Sequence, residues 1–89
     1  MNWQRLPGGE LIDQGLSDLA KALETVPSLL VSIGAPRLRR LGIAVADDEV
    51  FPGPEHRLYQ LLASEDPDSA HSRYNALVRR LVSFERCAV

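Results

Sequence analysis

Three arginines fall within four consecutive positions, Arg37, Arg39 and Arg40, and make the densest cluster of charge in the chain. A guanidinium presents planar, paired N–H donors that grip a phosphate or a carboxylate bidentately, so the cluster is suited to phosphate or to an acidic group on a partner protein. On a helix, Arg37 and Arg40 share a face with Leu41 while Arg39 lies well round from it, so the charges span an arc rather than a stripe. The plainer reading of the same residues is a solvated face around Leu38 and Leu41. A second polar group surrounds Tyr74. His71 and Asn75 stand one helical turn apart and project together, whereas Arg73 points elsewhere. Tyrosine and arginine are types that anchor interfaces. The candidate interaction residues are therefore Arg37, Arg39, Arg40, His71, Tyr74 and Asn75.

Other chemistry is sparse. His56, His71 and Cys87 show no HxxxH, CxxC or CxxH spacing, so the sequence points to no metal site. Cys87 is the third residue from the end of the sequence, where chains fray, which argues against a Cys–His nucleophile. The acidic run Asp47-Asp48-Glu49 lacks the alternating ligands, bend glycine and closing glutamate of a calcium loop. It reads as a solvated loop, or as a counter-charge to the arginine cluster. Laid on a helix-turn-helix template with Gly34 in the turn, residues 36–41 give a recognition helix of barely two turns, and Arg40 falls on a position the template keeps apolar.

The elements that must carry these residues follow from composition and punctuation. At 89 residues the chain suits one domain, and 45% apolar with 25% charged residues is a globular composition. With aromatics at 6%, the core must be aliphatic, which favours helix-on-helix packing. A formal charge of −2 supplies no cationic field for nucleic acid or anionic lipid. The preference for arginine over lysine, with Lys21 alone, fits the codon bias of a GC-rich, bacterial-type genome. A single cysteine, no signal-peptide pattern and no window of about 18 uninterrupted apolar residues point to a soluble, cytoplasmic chain.

Residues 1–9 read as an N-terminal arm closed by Pro7-Gly8-Gly9, with Trp3 and Leu6 packing back. From Glu10 a stripe of Ile12, Leu16, Leu19, Ala20 and Leu23 predicts a helix with Asp13, Gln14, Asp18 and Lys21 on its wet side. Gly15 in that helix allows a neighbour to approach closely. Thr25 caps the next segment, with Pro27 in its first turn. Gly34 then ends one short helix, and Pro36 to Gly42 makes another. Residues 44–53 form an irregular strap, with Val50 and Phe51 dipping toward the core. A helix from Pro54-Glu55 and the longest helix, opened by an Asp66 cap before Pro67 and Asp68, finish the chain as an αα-hairpin.

The expectation is an all-α, single-domain bundle over residues 1–89, of about five helices, two of them short. Its expected role is that of a small, non-enzymatic protein–protein interaction or regulatory module without a cofactor, with a protein partner or a second copy as homodimer. The alternative is a nucleic-acid-associated regulator using Arg37 to Arg40. An enzyme with His56 or His71 as general base ranks third, since it needs a cleft the sequence does not reveal.

Overall fold

Residues 26–40 form one helix where the glycine and proline punctuation predicts two. The computed structural model describes residues 5–46 and 48–88, so Trp3 and Asp47 lie outside the described residues. Four helices follow in order: α1 (Gly9–Ala20), α2 (Val26–Arg40), α3 (Pro54–Glu65) and α4 (Ala70–Cys87). The described residues contain no strand, and no helix among them is long and apolar enough to cross a membrane. Over the described residues the chain is a small all-α domain of four helices rather than five.

Helix α2 begins as its sequence dictates. Thr25 Oγ1 accepts from the Ser28 amide at 3.2 Å, and Ser28 Oγ accepts from the Thr25 amide at 2.7 Å, a reciprocal cap. Pro36 then denies the Ser32 carbonyl its usual donor, which costs about 3 kcal/mol in an isolated helix. Burial outweighs that loss. Leu29, Leu30, Val31 and Leu38 are fully buried and Ala35 is nearly so, and burying one large aliphatic side chain stabilises by roughly 1.5–3 kcal/mol. Gly34 is not a stop either, because α4 packs against it: a Cβ there would lie 2.8 Å from Leu81 Cδ1. The real terminator is Gly42, at φ 89°, with the Ile43 amide donating back to the Leu38 carbonyl at 3.0 Å.

Helix α1 packs on α2 through Gly15, where any Cβ would overlap the Pro27 carbonyl oxygen and Val31 Cγ2. The close approach expected of Gly15 is therefore real, and it involves backbone. Three placements differ from the periodic stripe. Asp18, expected in solvent, is buried, and accepts from Thr25 Oγ1 at 2.6 Å and Gln14 Nε2 at 2.9 Å. The α1–α2 turn folds back over it, so a carboxylate satisfies the hydroxyl that caps α2. Ala20 is exposed, and Leu23 lies beyond the helix end and is 47% exposed, because α1 closes at Lys21 through Ala22 in a left-handed conformation (φ 58°).

The hairpin of α3 and α4 is joined by residues 66–69. Asp66 does not cap α4. It is the C-terminal cap of α3, and its carboxylate accepts from the Asp68 amide and from Ser69 Oγ, so the turn runs to Ser69 and α4 starts at Ala70. At 18 residues α4 is the longest of the four helices. In the strap after α2, Ile43 and Val45 are buried, and Val50 and Phe51 pack at the edge of the core. Arg57 ties strap to bundle: its Nε donates to the Pro52 carbonyl, its Nη1 meets Glu24, and its guanidinium lies 5.9 Å from the Phe51 ring centre.

Two outcomes are expected. Gly15→Ala should destabilise by about 2–3 kcal/mol, lowering the unfolding midpoint by roughly 10 °C or more in a calorimetric scan. A variant that unfolds like the wild type would contradict the backbone contact. Hydrogen bonds from Thr25 and Gln14, helped by the Lys21 charge, hold the Asp18 carboxyl below its ordinary value of 3.8 against an opposing effect of burial. A depressed folded value means stability that is full above that ordinary value and lost as pH falls through the lower, folded one. Chemical unfolding between pH 7 and 2.5 should show a loss concentrated below about pH 4 that Asp18→Asn removes in part.

Candidate interaction groove

Two contacts align α2 with α4: Gly34 against Leu81, and Arg37 against Glu85, advancing in the same direction along both helices. Where the walls part they leave a groove of about 330 Å³. Ile33 and Pro36 of α2 and Val78, Leu81 and Val82 of α4 make its apolar surface, with Gly34 beneath and Arg37 and Glu85 at one end. Gly34 lowers the floor, since a side chain there would run into Leu81 and Glu85. Pro36 presents its ring to solvent at the opposite wall. The groove's size lies at the small end of ligand cavities, enough for a few aliphatic side chains.

Glu85 is the unusual residue of this site. It is 8% exposed, and its Oε2 is shut off from solvent with no hydrogen-bond partner. Its Oε1 lies 3.5 Å from Arg37 Nη1, at the outer limit for a hydrogen bond and far longer than a good charge-assisted one. The Arg37 side chain is 68% exposed, so screening leaves this pair worth well under 1 kcal/mol. A buried carboxylate with one long bond is a cost to the free molecule, of order 1–3 kcal/mol for the unmet acceptor.

The six candidate residues are placed in four settings. Arg37 stands at the groove end and Arg40 is exposed on the same side of α2. Arg39 is diverted: it is half-buried, and its Nε donates to the Val45 carbonyl at 2.7 Å, clamping the strap that follows α2. His71 and Asn75 are exposed and meet through Nε2 and Nδ2 at 3.2 Å. Tyr74 is half-buried, with its ring 6.0 Å from that of Tyr59 on α3, and burial followed by the Glu55 charge pushes its phenol upward. The two clusters are not adjoining, since Tyr74 and Glu85 are about 16 Å apart along α4. Among the described residues no three His, Cys, Asp or Glu side chains converge as metal ligands would.

Of the groove residues only Arg37 is a candidate from sequence. One signal was present: Val78, Leu81, Val82 and Glu85 fall at steps of three, one and three, so an acid occupies a position of the apolar stripe. No protein-family model, no curated protein and no solved structure matches this chain.

Glu85→Met should keep the shape of the groove end while removing the unmet acceptor. It is expected to raise stability by about 1 kcal/mol, a gain of roughly 4–8 °C in unfolding midpoint. A fall of that size would instead show that Glu85 supports the bundle.

Proposed function

We propose that this chain is a small, non-enzymatic interaction or regulatory module that takes a segment of a partner protein into the groove between α2 and α4. The observation that carries the reading is Glu85, a buried carboxylate set in an apolar cleft with its Oε2 unmet. Polar groups that a fold leaves unsatisfied concentrate where something else is to be met. Apart from the Glu85 carboxylate the lining holds no hydroxyl, thiol, amine or imidazole, so no nucleophile–base pair is assembled there, which favours binding over chemistry. Tyr74 and its neighbours lie farther along α4 and extend the surface of that helix.

A nucleic-acid-associated role through Arg37, Arg39 and Arg40 is the second reading. Arg40, together with Arg79, Arg80 and Arg86 on α4, is exposed and forms no ion pair among the described residues. It ranks lower because Arg39 is spent on the Val45 carbonyl and Arg37 leans on Glu85, and phosphate binding draws on several free cations at once.

The test is capture of tagged protein from its host's lysate, with and without nuclease, using the wild type, Val82→Asp in the groove and Gln60→Ala on the exposed side of α3. The proposal expects a stoichiometric protein partner that survives nuclease, persists with Gln60→Ala and is lost with Val82→Asp. Co-purifying nucleic acid that depends on Arg37 and Arg40 and ignores Val82→Asp would replace it with the second reading.

A further inference from the structure

The interaction reading leaves open what enters the groove, and the distribution of charge around it is informative. Along α4, His71, Asn75, Val78, Val82 and Glu85 follow at steps of four, three, four and three, which places them on one seam of the helix. Arg79 and Arg86, both exposed, are seven residues apart and so stack on the outer flank of that seam. The other wall belongs to α2, where Arg37 and Arg40 are exposed one turn apart. Arg40, Arg79 and Arg86 have no ion-pair partner among the described residues, and Arg37 has the long contact with Glu85. An apolar floor thus lies between two cationic edges, with one buried carboxylate in it.

We infer that the groove receives an amphipathic helix of a partner protein, one with aliphatic residues on its inner face, carboxylates along both edges and a single hydrogen-bond donor opposite Glu85. This rests on the interaction reading above. Two helices lying side by side offer ridges into which a third helix packs, whereas they offer no free backbone edge to an extended strand. Four guanidinium groups at the rims favour acids at the edges of that helix, by steering as much as by contact. Rotation about χ3 of Glu85 exchanges its two oxygens, so an entering amide or hydroxyl donor meets whichever faces it. A basic segment would find one buried carboxylate and four repelling cations. Nucleic acid would find phosphate-binding edges but set its backbone over an apolar floor and a negative charge. A second copy is disfavoured because Ile12, Leu19, Leu58 and Leu62, the apolar faces of α1 and α3, are consumed by the core.

The experiment titrates the isotope-labelled full chain with three designed helical peptides, read by amide shifts and by fluorescence anisotropy. The first carries a leucine face, glutamates on both flanks and one central glutamine. The second replaces its glutamates by lysine, and the third replaces its glutamine by leucine. The expected result is that shifts centre on Ile33, Val78 and Val82. The acidic peptide should bind at least roughly tenfold more tightly than the basic one, by an advantage that shrinks as salt rises from about 50 to about 300 mM. Arg79→Glu with Arg86→Glu should reverse that order. The leucine-for-glutamine peptide should bind about threefold to tenfold more weakly to the wild type, and without that penalty to Glu85→Met. Equal or tighter binding of the basic peptide at the same residues would overturn the acidic partner while leaving the groove as the docking surface. No groove shifts with any peptide at about millimolar concentration would overturn both. Dimerisation of the free chain that buries Val78 and Val82, seen by sedimentation, would make the second copy the occupant and overturn the inference too.

Discussion

The contact of α1 with the backbone of α2 at Gly15 governs the geometry of this domain. With no side chain at that position, the α1 backbone lies against the Pro27 carbonyl and Val31, closer than two ordinary helices come. That proximity is what allows Asp18 to reach Thr25 Oγ1 across the turn, and the Thr25 cap in turn sets where α2 begins. Start, direction and burial of α2 are thus consequences of one small residue on its neighbour. Because α2 touches each of the other three helices, the error introduced by displacing it would propagate through the whole core.

A second glycine repeats the device with a different result. Gly34 admits Leu81 and so brings α4 against α2, but the surrounding residues do not close the seam. Ile33, Pro36, Val78 and Val82 stand on either side of an opening where Gly15 has a filled contact. The difference lies in what each glycine faces: backbone and a β-branched side chain at Gly15, flexible side-chain ends at Gly34. Pro36 extends the opening, since its ring stands outward from a helix that buries Ala35 just before it and Leu38 two residues after it. The groove and the core are therefore made by the same packing, and Glu85 is where they conflict. A small core has little stability to spare, which makes an unmet buried carboxylate a conspicuous expenditure.

The candidate site was legible in residue type and poorly legible in role. Helical rotation sets Arg39 apart from Arg37 and Arg40 in the sequence but does not assign their roles: Arg39 donates to the Val45 carbonyl, Arg37 leans on Glu85, and Arg40 is exposed with no ion pair among the described residues. Their separation follows from helical rotation plus the position of the returning strap, and the second of these is not a local property. His71 and Asn75 project together as their spacing requires and do bond to each other. Tyr74, one step away, turns instead toward Tyr59.

Local chemistry determined most of the element plan: the Thr25 cap, the helix opening at Pro54, the long final helix and the aliphatic, strand-free composition all follow from short-range preferences that need no partner. Local chemistry misjudged the segment 34–36, because glycine and proline break a helix by amounts that burial of Leu29, Leu30, Val31 and Leu38 exceeds. It misjudged Asp18 for the same kind of reason, since a carboxylate on the polar side of a helix becomes interior when the next turn folds over it. Capping, turn formation and periodicity act over four residues or fewer, so one sequence displays them. Which side chains face one another across α2 and α4, and therefore where the groove and its unmet carboxylate lie, depends on contacts nearly fifty residues apart, such as Arg37 with Glu85, and only the tertiary structure decides those.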